Sequence, residues 1–103
     1  MNLALEEALK AESLGEVPVG ALIVDPDQNI IATAHNLKEL NADPCGHAEI
    51  LAIKAAAEKL GSWRLQGCSM FVTLEPCMMC TGAIVHARIQ NLYFGAFDAK
   101  PAL

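Results

Sequence analysis

Two cysteines three residues apart, Cys77 and Cys80, follow a proline in "LEPCMMC" at residues 74 to 80. Taken alone, this spacing fits a redox couple, a structural zinc clip or half of a catalytic metal site. Upstream, "DPCGHAE" sets His47 just after another proline-bearing turn, with Glu49 two positions further on. His47 and Cys77 each stand where a helix is predicted to begin. A helix N-terminus offers unpaired N–H groups and partial positive charge, which stabilise a thiolate. Cys77 and Cys80 share one helix face and can both reach a single ion, and two thiolates with one imidazole suit zinc, one ion per chain. Three protein ligands leave a fourth tetrahedral position for a water, whose pKa falls to about 7. Glu49 lies in the first helical turn, where Cα–Cβ bonds tilt toward the N-terminus, so its carboxylate suits a proton shuttle beside the metal. A redox pair would leave the histidine and glutamate unexplained. The sharper rival is a closed structural site in which Cys45 supplies the fourth ligand.

Several elements must position these groups. Residues 2 to 13 are predicted to form an amphipathic helix, with Leu3, Leu5, Ala8 and Leu9 inward and Glu6, Glu7 and Lys10 in water. "VPVGALIV" and "NIIATAH" flank "DPDQ" and read as a hairpin. The loop "NLKELNADPCG" leads into a helix from near His47 to about Leu60. "SMFVTLE" is a predicted strand, "CMMCTGAIVHARI" a second site helix and "NLYFGAF" a last strand. Strands alternating with helices after the hairpin predict right-handed crossovers, parallel pairing and a mixed sheet covered on both faces.

The chain has 103 residues and is 53% hydrophobic. That is enough for one modest core, so residues 1–103 are expected to form a single domain. No run of ~20 apolar residues suggests a membrane span, and the acidic N-terminal segment is unlike a signal peptide, so a soluble, non-exported protein is expected. The four cysteines are then thiols rather than disulfides. A formal charge of −5 disfavours broad nucleic-acid binding. Lys38, Lys54, Lys59, Arg64, Arg88 and Lys100 are candidate phosphate contacts, but acids interleave them and no patch is evident. Cys68 reads as a small core residue, His86 as a packing or surface group, and Met78 and Met79 as core and pocket wall. Trp63 reads as a cover for the core, and His35 as a strand-end residue beside Asn36.

The pattern H-x-E…P-C-x-x-C is the signature of zinc nucleobase deaminases. Here it stands as "HAE" at 47 to 49 and "PCMMC" at 76 to 80. With "EVPVGALIV", Asn36, "DPCGHAEILAI", "LEPCMMCTGAIVHARI" and "FGAFDAK" in the same order, almost the whole chain resembles the bacterial and plastid TadA-type tRNA-specific adenosine deaminases. The resemblance implies a three-layer α/β/α cytidine-deaminase-like fold with a mixed sheet, truncated at its C-terminus. It implies His47, Cys77 and Cys80 as zinc ligands and Glu49 as general acid/base. Asn36, Val17, Pro18, the Ala48 backbone N–H and Asp98 would line the site for the flipped-out base. The implied activity is hydrolytic deamination of adenosine to inosine at the wobble position of the tRNA anticodon loop, by a cytoplasmic or plastid homodimer without membrane attachment. Members commonly carry Thr-Ala where this chain has Cys45-Gly46. They also begin a turn or two earlier and continue beyond "DAK" through another strand and C-terminal helices that help grip tRNA. Two alternatives accompany this expectation. One is a deaminase of a free base, nucleoside or single-stranded DNA cytosine; the other is a non-enzymatic domain with a closed zinc site of Cys45, His47, Cys77 and Cys80.

Overall fold

A computed structural model of the protein describes residues 1–96, so the expectation for Asp98 lies outside the described residues. The elements are α1 (Asn2–Ser13), β1 (Gly20–Val24), β2 (Ile30–His35), α2 (Ala48–Leu60), β3 (Ser69–Val72), α3 (Met78–His86) and β4 (Asn91–Phe94). They follow the predicted order. The two later strands are shorter than predicted, ending at Val72 and Phe94, although Thr73 N–H still donates to Gly20 O at 3.0 Å.

The strands form one mixed sheet in the order β2-β1-β3-β4. β1 is antiparallel to both β2 and β3, whereas β3 and β4 pair in parallel across the α3 crossover. All five residues of β1 are buried, since the strand is central and covered on both faces. Its alternation divides the core. Ala21 and Ile23 pack with Ala48, Ala52 and Ala56 of α2, while Leu22 and Val24 pack with Ala4 of α1 on the opposite face.

In α1 the predicted orientation holds for Ala8, Glu6 and Lys10 but not for the leucines or Glu7. Ala4, Glu7, Ala8 and Ala11 are buried, whereas Leu3, Leu5 and Leu9 are exposed. The cause is the closeness of the helix to the sheet. A Cβ at Gly20 would collide with the Ala4 carbonyl and the Ala8 backbone nitrogen, so only small α1 residues fit against this strand. Gly20→Ala is therefore expected to cost about 3 kcal/mol or more, because backbone rather than a flexible side chain must give way. The measurement is a urea midpoint. An unchanged midpoint would show that α1 moves aside freely.

The hairpin turn is held by Asp25. Its Oδ1 accepts the N–H groups of Asp27 and Asn29 at 2.9 Å each, and its Oδ2 accepts the Asn29 amide at 3.3 Å. The Asn29 backbone donor is the main reason its carboxyl lies below the ordinary aspartate value of 3.8. A carboxyl depressed in the folded state stabilises the fold above its unfolded value and loses that contribution as pH falls through the folded one. Stability followed by urea unfolding is thus expected to fall below about pH 4 more steeply in the native chain than in Asp25→Asn. Parallel curves would exclude this contribution.

Candidate active site

Two helix starts meet at one place. His47 is the N-cap of α2 and Cys77 the N-cap of α3, both in extended backbone geometry, and neither helix has a side-chain cap. Cys80 follows one turn into α3 and is fully buried. The His47 Nδ1 lies 3.6 Å from Cys77 Sγ and 3.5 Å from Cys80 Sγ. All three ligand atoms lie within 4.8 Å of one another, so the group can hold a metal ion. Tetrahedral zinc, with bonds of about 2.0 Å to nitrogen and 2.3 Å to sulfur, sets nitrogen and sulfur about 3.6 Å apart. The donor set and its spacing therefore fit zinc.

The electrostatics agree. Burial pushes the Cys80 thiol well above its ordinary value, and the neighbouring Glu49 and Cys77 push it further. A coordinated cation reverses this, because it binds the thiolate and deprotonates the thiol outright.

Glu49 is buried and stands outside the three-ligand group. Burial pushes its carboxyl above the ordinary value, against the lowering effects of its own backbone N–H, His47 and Cys80. Asn36 is also buried, and its Oδ1 accepts the Ala48 N–H at 2.8 Å, which ties the end of β2 to the first turn of α2. These residues face a cavity of about 220 Å³, walled by Val17, Val19 and Leu74 on its apolar side and by Asn36, Lys38, Glu49 and Glu75 on its polar side. Pockets that enclose drug-sized ligands run from roughly 300 Å³ upward, so this one suits a single heterocycle. Over residues 1–101 the sequence matches the family of MafB19-like deaminases. The chain belongs to that family.

Its relatives carry names consistent with this site. The chain is 52% identical over 100 residues to a tRNA-specific adenosine deaminase of Haemophilus influenzae, an alignment covering 97% of this chain and 58% of the relative. The chain thus spans a little under three fifths of that relative's length. A structure solved in a study of A-to-I editing by tRNA:A34 deaminases superposes with a TM-score of 0.95 at 48% identity, over 98% of this chain and 72% of that one. The guanine deaminase of Bacillus subtilis superposes with a TM-score of 0.89 at 37% identity, over 93% of this chain and 61% of that one. The expected fold, a mixed sheet layered between helices as in cytidine deaminases, is the one observed.

Against this family frame, the structure brings together His47, Glu49, Cys77, Cys80, Asn36 and Val17. Three other residues singled out in the sequence stand outside this group. Pro18 is exposed and absent from the cavity wall, because a tight turn in which Val19 N–H donates to Val17 O at 2.8 Å puts its two neighbours there instead. The Ala48 N–H is already engaged by Asn36 rather than open to a ligand. Cys45 is exposed and stands outside the ligand group, so the closed four-ligand site is not formed; its backbone N–H is held by Asp43 in the loop before α2.

Met78 and Met79 are exposed rather than core or pocket wall, since the buried face of α3 is carried by Cys80 and Ile84. Cys68 is a core residue as expected, and His86 lies at the surface. Trp63 is 56% exposed, with the Arg64 and Arg88 guanidiniums over its ring, and so does not serve as a core cover. Leu74 and Glu75 were missed as cavity residues, although their place directly before Pro76 and Cys77 was the available signal.

Proposed function

We propose that this chain hydrolyses adenosine to inosine at the wobble position of a tRNA anticodon loop, with one zinc ion held by His47, Cys77 and Cys80. The carrying observation is the place of Glu49: buried, beside the ligand group, and on the wall of a base-sized cavity. The names and similarity of the adenosine deaminase relatives support the choice of substrate. Bound zinc supplies the Lewis acid that brings the pKa of a water to about 7. Glu49 acts as general base and then acid, taking a proton from the attacking water and placing it on ring nitrogen N1 of the flipped-out base. The water oxygen bonds to C6; Glu49 then takes the remaining proton of that oxygen and hands it to the amine, so that the C6–N bond breaks, the C6 carbonyl forms and ammonia leaves.

Asn36 orients the base through its side-chain amide, for which no partner other than Ala48 is found among the described residues. Val17 packs on the ring. Pro18, Ala48 and Asp98 complete the proposed substrate set, with Pro18 at the outer edge and Ala48 acting through Asn36. A single domain over 1–103 and a homodimer belong to the same proposal. The dimer is supported by the exposed Met78, Met79 and Val85 on α3 and by the apolar cleft that Ile50, Ile53 and Trp63 line between α2 and α3. A cytoplasmic or plastid location is also part of it; among the described residues, no helix is long and apolar enough to cross a membrane.

The test is direct. Purified chain carrying one zinc is incubated with an anticodon stem-loop that has a wobble adenosine, and conversion is read as A-to-G in sequencing. Conversion supports the proposal, and zinc without conversion refutes this substrate. A second reading, deamination of a free purine base, is favoured by the single-heterocycle cavity and the guanine deaminase likeness. It expects ammonia release from a free base and none from the stem-loop.

A further inference from the structure

The loop between β2 and α2 is built with more care than a surface connection needs. Glu16 is a buried carboxylate, 6% exposed, that takes no part in the chemistry proposed above. Its Oε1 accepts the Glu39 N–H at 3.1 Å and its Oε2 the Leu40 N–H at 2.7 Å. Leu37 N–H donates to Gly46 O at 2.9 Å, and Asp43 N–H to Lys38 O at 3.0 Å. Gly46 packs so closely that a Cβ there would meet the Lys38 Cα at 3.0 Å. The backbone of Lys38 is therefore held on its own carbonyl, through its neighbour's N–H, and by the glycine opposite. A buried carboxylate with both oxygens engaged by backbone N–H groups keeps a loop in one conformation.

This construction places one exposed cation at the cavity. Lys38 lies two residues from Asn36 and lines the cavity together with Asn36, Glu49 and Glu75. It is the one lysine or arginine among the described lining residues. Among the described residues the Lys10–Glu7 contact is the only ion pair, so the Lys38 ammonium is not neutralised by the nearby acids. In a chain of net charge −5, a lysine on a held backbone at the wall of a base-sized cavity, with no ion-pair partner among the described residues, is a local exception.

We propose that Lys38, held in place by the Glu16 clamp, contacts a backbone phosphate next to the target nucleotide, so that the site takes a base within an RNA strand in preference to the same base or nucleoside free in solution. Glu16 is a positioning residue in this scheme, and Lys38 determines specificity. The inference rests on the cavity being the nucleobase site proposed above. A phosphate lying outside the cavity while its base lies inside gives Lys38 a point-charge contact that a free base cannot offer.

The test measures binding apart from turnover. Fluorescence anisotropy of a labelled anticodon stem-loop is followed from 50 to 200 mM salt for the zinc-loaded native chain, Lys38→Gln and Lys38→Arg. Loss of one phosphate contact should lower the salt slope of log affinity by about 0.7 to 0.9, and the affinity deficit of Lys38→Gln should shrink about threefold across that range. Lys38→Arg should keep the native slope. Glu16→Gln should fall between the two, because it keeps one oxygen acceptor and loses the other. In parallel, the ratio of kcat/KM for the stem-loop to that for free adenosine should drop in Lys38→Gln. A Lys38→Gln slope equal to the native one overturns the proposal, even if the stem-loop is deaminated. A reduced slope with no deamination supports the phosphate contact and refutes the adenosine chemistry instead.

Discussion

Glu49→Gln is expected to retain one zinc per chain and to lose at least about 100-fold in deamination rate, the scale on which general acid–base groups act. Glutamine keeps the shape of the side chain and part of its hydrogen bonding but can neither accept nor return a proton at the pH of the reaction. Zinc should stay because Glu49 stands outside the group formed by His47, Cys77 and Cys80. Burial of the charged carboxylate is unfavourable in the metal-free site, so the zinc-free glutamine variant should fold at least as stably as the zinc-free native chain. Metal analysis, thermal unfolding and single-turnover conversion of the stem-loop check the three parts separately. Near-native turnover would remove Glu49 from the proton pathway. Loss of zinc would make it a ligand.

Cys80→Ser should have the second large effect: at least about 100-fold weaker zinc binding and, in consequence, loss of activity. Cys80 is wholly buried, and its sulfur lies 3.5 Å from the His47 nitrogen, so no solvent ligand can take its place without opening the junction of α2 and α3. A hydroxyl is a far poorer ligand for zinc than a thiolate. Metal that binds only the folded site adds its binding free energy to stability. The native holoprotein should therefore melt lower once a chelator is added, whereas Cys80→Ser should melt at one temperature with or without it. Cys45→Ala is the control and should keep its zinc, because Cys45 is exposed and outside the ligand group. Zinc retained by Cys80→Ser, or lost by Cys45→Ala, would redraw the ligand set.

Much of the site was legible because its groups lie close together in sequence around helix starts. A histidine and a cysteine that each follow a proline-bearing turn declare an N-cap, and a second cysteine one turn later is bound to share its face. Local rules of this kind survive folding, as α2 and α3 illustrate by beginning at Ala48 and Met78. The orientation of α1 was legible only in part, at Ala8, Glu6 and Lys10. Leu3, Leu5 and Leu9 carry the stronger hydrophobic signal, yet the approach allowed by Gly20 selects the small face of the helix, and that approach is a fact about two segments rather than one. Lys38 was concealed in the same way. Among scattered cations it has no distinguishing neighbour in sequence, and its position depends on Glu16, more than twenty residues earlier.

The sequence by itself determined the order of elements, the pairing of Cys77 with Cys80 and the place of Glu49 near His47, since these pairs follow from spacing within a single turn or helix; that the two helix starts meet is a tertiary outcome. Only the tertiary structure decided that Cys45 stays outside the ligand group, that Asn36 engages the Ala48 N–H, and that Glu16 sets Lys38 at the cavity. Those outcomes depend on distances between segments far apart along the chain. Such distances are set by how closely the backbones pack, and no local pattern of residues encodes them.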